Sequence, residues 1–112
     1  MKIALPLTGE QLSLHFGHCT TFAFFTINPQ TKEIIKQETL TPPPHEPGVF
    51  PIWLKEQAVD LIIAGGLGQR AQGLFAEQGI QVIYGVPTAT PETIVNNFLK
   101  GNLKPGKNIC DH

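Results

Sequence analysis

The chain is 112 residues long, 41% apolar and 15% charged, with a formal net charge of −1 at pH 7. That size and balance suit one soluble globular domain with its own core and leave no room for a second. Near-zero charge, with the lysines spread rather than blocked, gives no footprint for nucleic acid, and no apolar run approaches the ~20 residues of a membrane helix.

Met1-Lys2 leads into Ile3-Ala4-Leu5-Pro6-Leu7, too short for the apolar region of a signal peptide, so a cytoplasmic chain is expected. In that setting Cys19 and Cys110 read as thiols or ligands rather than as a structural disulfide. Lys2 to Leu7 is itself a short apolar run, closed by Pro6 and Gly9, that predicts a buried strand. Thr20 to Asn28 is aromatic and β-branched, Asn28-Pro29-Gln30-Thr31 signals a turn, and Lys32 to Leu40 alternates, so the two stretches should pair as a hairpin. Four prolines between Thr41 and Gly48 exclude helix and central strand, leaving a loop that enters a helix from about Phe50 to Gln57. Asp60 to Ala64 is an apolar strand core broken by Gly65-Gly66-Leu67-Gly68. A helix from about Gln69 to Gln78 then ends at Gly79, and Ile80 to Tyr84 forms another strand. Thr90-Pro91-Glu92 combines a capping residue, a proline at the first helical position and an early acid, predicting a last helix to about Lys100. The order βββαβαβα predicts a mixed α/β sheet, with an antiparallel hairpin from the first half and parallel strands from the second. Residues 1–101 form the expected domain, and 102–112 a tail with little to bury.

All four histidines and both cysteines fall in three short clusters. His15, His18 and Cys19 share one run, His45 sits in Pro42-Pro43-Pro44-His45-Glu46-Pro47-Gly48, and Cys110 and His112 close the chain. Neutral imidazole and thiolate suit zinc, copper, iron and iron–sulfur clusters, whereas magnesium or calcium would ask for carboxylates, of which the clusters hold only Glu46 and Asp111. Gly17 lets the first loop turn sharply enough for its donors to converge, and the prolines stiffen the loop that carries His45. Plainer roles compete: His15 bonded to loop backbone, His18 solvated, Cys19 a small buried hydrophobe, His45 a surface residue and the last two an ordinary chain end. Gly65, Gly66 and Gly68 at a strand-to-helix turn present backbone N–H groups to an anion, and Arg70 adds donors toward the sulfides or charge of a cluster. The Lys-Ser/Thr of a phosphate-binding loop and the Gly-x-Gly-x-x-Gly spacing are both missing, so nucleotide is not expected there. Phe22, Phe24, Phe25, Trp53, Phe75 and Phe98 read as core.

Ser13-x-His15-Phe16-Gly17 with Phe22, then Asp60-Leu-Ile-Ile-Ala-Gly65-Gly66-x-Gly68 with Ala71, Gly79-Ile80-x-Val82 and Gly101-x-Leu103 together resemble the dinitrogenase iron–molybdenum cofactor biosynthesis family. The likeness is to its NifX-like and NifB C-terminal domains and covers nearly the whole chain. It implies a ribonuclease H-like three-layer α/β fold whose five-stranded mixed sheet has the order 3-2-1-4-5, strand 2 antiparallel. It also implies a domain that holds or carries an iron–sulfur or iron–molybdenum-type cluster. The Pro-Pro-His-Glu-Pro-Gly and Cys-Asp-His segments look like those of a subgroup with extra His and Cys. Two cysteines cannot supply the three-cysteine motif of the radical domain in large NifB proteins, so cofactor synthesis by this chain is not expected. Ribonuclease H-like nucleases carry paired carboxylates on the first strand, and Lys2 to Leu7 has none.

The expected function is a metal-cluster carrier or scaffold rather than a catalyst. Its ligands would be His15, His18, Cys19, His45, Cys110 and His112, or a subset of them. Its partners would be cluster donor and acceptor proteins, and a homodimer sharing one site stays open. Two rivals stand beside it: a zinc-stabilised domain with a closed Cys₂His₂ site, and a hydrolase or redox enzyme using Cys19 beside His15 or His18.

Overall fold

A computed structural model describes residues 1–44, 46 and 48–103. The elements run β1 (Lys2–Thr8), β2 (Gln11–Leu12), β3 (Thr21–Ile27), β4 (Ile34–Leu40), α1 (Val49–Glu56), β5 (Leu61–Ile63), α2 (Gln69–Glu77), β6 (Gln81–Ile83) and α3 (Pro91–Leu99). One open sheet takes the order β4-β3-β1-β5-β6, with β2 paired to β1 off that path. β3 lies antiparallel to both β1 and β4, while β5 is parallel to β1 and β6 parallel to β5. The expected mixed α/β class is the observed one, but the sheet has six strands, not five. The added strand, β2, is only two residues long: Leu7 pairs with Leu12 and Thr8 with Gln11 around a turn at Gly9, whose φ is +66°. Two residues are too few to show a period, so no sequence pattern announces them.

β1 and β3 are buried on both faces, which is why they read as continuous apolar runs rather than alternating ones. Ile3, Leu5, Phe25, Ile27 and Ile63 face α3, where Ile94 and Val95 meet them. Ala4, Phe22, Phe24 and Ile62 turn to the opposite face and pack under α1 and α2 against Phe50, Leu54 and Phe75. The β3–β4 turn is fixed by its own side chain, since Asn28 Oδ1 accepts hydrogen bonds from Gln30 N at 2.8 Å and Thr31 N at 3.2 Å. At the start of α3, Thr90 occupies the capping position without capping; its hydroxyl pairs with that of Thr93 at 2.8 Å.

Strand directions place the functional region. β1, β4, β5 and β6 all run the same way, so the segments that follow them gather at the carboxyl end of these strands, where ligands of open α/β sheets bind. His15 follows β1 and β2, the proline segment follows β4, and Gly65-Gly66-Leu67-Gly68 follows β5. No helix among the described residues is long and apolar enough to cross a membrane.

Candidate functional site

The loop after β2 is held at three levels. Its backbone continues sheet-like pairing beyond the strands: His15 and Gly66 form a parallel bridge, with Gly66 N donating to Leu14 O at 2.8 Å and Phe16 N donating to Gly66 O at 2.9 Å. Neighbouring Gly65 permits this approach, because a Cβ there would lie 2.6 Å from the Ser13 carbonyl oxygen. Phe16 then anchors the loop from below. Only 6% exposed, its ring packs edge-on against Phe50 at 5.6 Å and Phe75 at 5.5 Å. Last, the short 3₁₀ turn Phe16–His18 closes with His18 N donating to His15 O at 3.1 Å.

This scaffold brings two of the expected ligands together. The imidazoles of half-buried His15 and exposed His18 lie 5.3 Å apart between ring centroids and line one cavity of about 450 Å³ with Thr8, Ser13 and Thr88. Cys19 is placed differently, half-buried against the phenylalanine cluster around Phe16. Burial pushes its thiol up to about 11, outweighing the opposing backbone hydrogen bond. A nucleophilic cysteine needs the opposite shift, so the environment of Cys19 works against thiolate chemistry. His45, Cys110 and His112 lie outside the described residues. Among the described residues no three His, Cys, Asp or Glu side chains come together as a metal site.

The glycine-rich turn faces a second cavity, of about 320 Å³, at the same end of the sheet. Gly66, Gly68 and Arg70 line it with Phe16, Gly17 and Glu46. Gly68 and Gly48 are the capping residues of α2 and α1, and neither helix start receives a side-chain cap. The cavity therefore lies beside the positive ends of two helices, with Arg70 as a cation and Glu46 as a carboxylate at its wall. Gly65 does not line it; that residue is spent on the close approach to Ser13. The loop is common to both cavities, Phe16 and Gly17 to one, His15 and His18 to the other.

The profile of the dinitrogenase iron-molybdenum cofactor family matches residues 1–101. The chain belongs to that family. As a member it resembles an uncharacterized protein of Methanocaldococcus jannaschii, 34% identical over an alignment of 108 residues, with 93% of this chain and 90% of the relative covered. Among solved structures, PH0822 superposes with a TM-score of 0.85 at 28% identity over 94% of both chains. The apo form of the orange protein from Desulfovibrio gigas gives a TM-score of 0.70 at 19% identity over 96% of this chain and 93% of that chain, a likeness of fold alone.

Within this family member, sequence reasoning found the two histidines but assigned no task to Ser13 or Thr8. Ser13 is 2% exposed, the one buried polar side chain among the described residues. Its hydroxyl donates to His15 O at 2.7 Å and accepts from Thr8 Oγ1 at 2.9 Å. The available signal was a serine standing between Leu12 and Leu14 where an apolar residue would pack more easily.

Proposed function

We propose that this family member is a metal-cluster carrier or scaffold, and that its cargo is an iron–sulfur or iron–molybdenum-type cluster held first by His15 and His18. The observation that carries the reading is the pairing of those two imidazoles, 5.3 Å apart, on a loop fixed by Gly66 and Phe16. Two neutral imidazoles suit borderline metals such as iron and zinc. They are too few to enclose a metal, which suits a cargo that brings its own sulfide ligands and must leave again. Cys19, His45, Cys110 and His112 are the further candidate ligands, and cluster donor and acceptor proteins are the expected partners. Gly66, Gly68 and Arg70 would offer hydrogen bonds and positive potential to the anionic charge of the cargo. In this reading the fold is of the ribonuclease H-like kind, used as a binding platform without the carboxylates of a nuclease.

The test is anaerobic reconstitution with iron and sulfide. Visible charge-transfer absorption should develop, and His15→Ala should lose most of it. A colourless protein that takes up only zinc, in tetrahedral coordination, would replace this reading with that of a zinc-stabilised domain.

A further inference from the structure

A buried hydroxyl is costly unless bonded, and the bonds of Ser13 go to the loop that carries the histidines. The chain of donors runs in one direction. Thr8 Oγ1 donates to Ser13 Oγ at 2.9 Å, and Ser13 Oγ donates to His15 O at 2.7 Å. Thr8 Oγ1 also lies 3.4 Å from His18 O, a second and longer acceptor for the same proton. The two hydroxyls thus reach the main-chain carbonyls of both histidines from one side. Backbone contacts alone would still seat the segment, because Ser13 N donates to Pro6 O at 2.8 Å and Thr20 N to Leu7 O at 2.8 Å. The hydroxyl pair is therefore not required to attach the loop to the sheet, and what it adds, beside the bond from His18 N to His15 O, is a side-chain tie on the carbonyls of both histidines.

We propose that Ser13, supported by Thr8, is a positioning residue that holds the His15 and His18 imidazoles in the mutual geometry a metal-bearing ligand requires. This rests on the carrier reading above for its purpose, although the geometry can be tested without any metal. Ordering two side chains before binding removes a cost that would otherwise be subtracted from affinity. Losing the clamp should accordingly weaken binding by about tenfold.

The experiment compares the wild type with Ser13→Ala, Thr8→Val and Ser13→Thr. The first readout is the nuclear Overhauser contact between the His15 and His18 rings in metal-free protein. The second is affinity for cobalt(II) alone, and the third is the unfolding midpoint. Ser13→Ala should lose the ring contact and bind cobalt about tenfold more weakly, Thr8→Val should show the same change in smaller degree, and Ser13→Thr should restore both. Thr8→Val changes a solvent-facing residue and keeps the test valid if Ser13→Ala does not fold. A ring contact that survives in both Ser13→Ala and Thr8→Val overturns the proposal, even if the midpoint falls, because it leaves Ser13 a structural role only. Wild type that shows the ring contact but no affinity for cobalt would count against the carrier reading, while loss of the contact in the variants would still support positioning.

Discussion

Replacing Gly65 by alanine would put a Cβ 2.6 Å from the Ser13 carbonyl oxygen and 3.0 Å from that of Leu14, against 3.4 Å for the start of ordinary contact. Both obstacles are backbone atoms, so no side chain can swing away. The loop must move, and the hydrogen bonds that hold it are short: Gly66 N to Leu14 O at 2.8 Å, Phe16 N to Gly66 O at 2.9 Å and Gly85 N to Gly65 O at 2.8 Å. Overpacking of this kind costs about 1–3 kcal/mol. Each backbone bond lost adds about 1 kcal/mol. Alanine returns about 0.4–1 kcal/mol by restricting the unfolded chain. The net expectation is a loss of about 2–4 kcal/mol, read from urea unfolding. Gly73→Ala is the matched control, since Gly73 lies within α2 with nothing within 4 Å of an added Cβ. It should be neutral or stabilising by about 0.5–1 kcal/mol. A Gly65→Ala protein within about 0.5 kcal/mol of wild type, which is the scatter of ordinary surface substitutions, would refute the account of the close approach.

Phe16→Ala removes a buried ring at the junction of Phe22, Phe50 and Phe75 and should cost about 3–5 kcal/mol by chemical denaturation. A loss under 1 kcal/mol would mean that the ring does not anchor the loop. For Cys19, burial raises the folded-state value to about 11, so the fold favours the neutral thiol. The corresponding stabilisation is present below the unfolded value near 9 and is lost as pH rises through about 11. In a Cys110→Ser background, alkylation of Cys19 by iodoacetamide should therefore be slow at pH 8 and climb toward pH 11. A midpoint at or below 9 would show that the thiol is not desolvated as described.

Much of the fold was written in local pattern. The apolar runs Ile3 to Leu7 and Phe22 to Phe25, the Asn28-Pro29 turn and the Pro91 helix start each depend on neighbours in sequence, so propensity and periodicity reveal them. The same holds for the donor types of the candidate site, because His15 and His18 share one short run and the Gly-rich turn follows an apolar strand. What tertiary structure decided were relations between distant segments. Gly65 is required by a carbonyl at Ser13, about fifty residues away along the chain. The glycine-rich turn and the histidine loop are joined by backbone pairing yet line separate cavities. Cys19, one residue from His18, turns its thiol toward the phenylalanine cluster. Sequence specifies which groups are available; the distances and burial that set their chemistry arise only when strands far apart in the chain pack side by side.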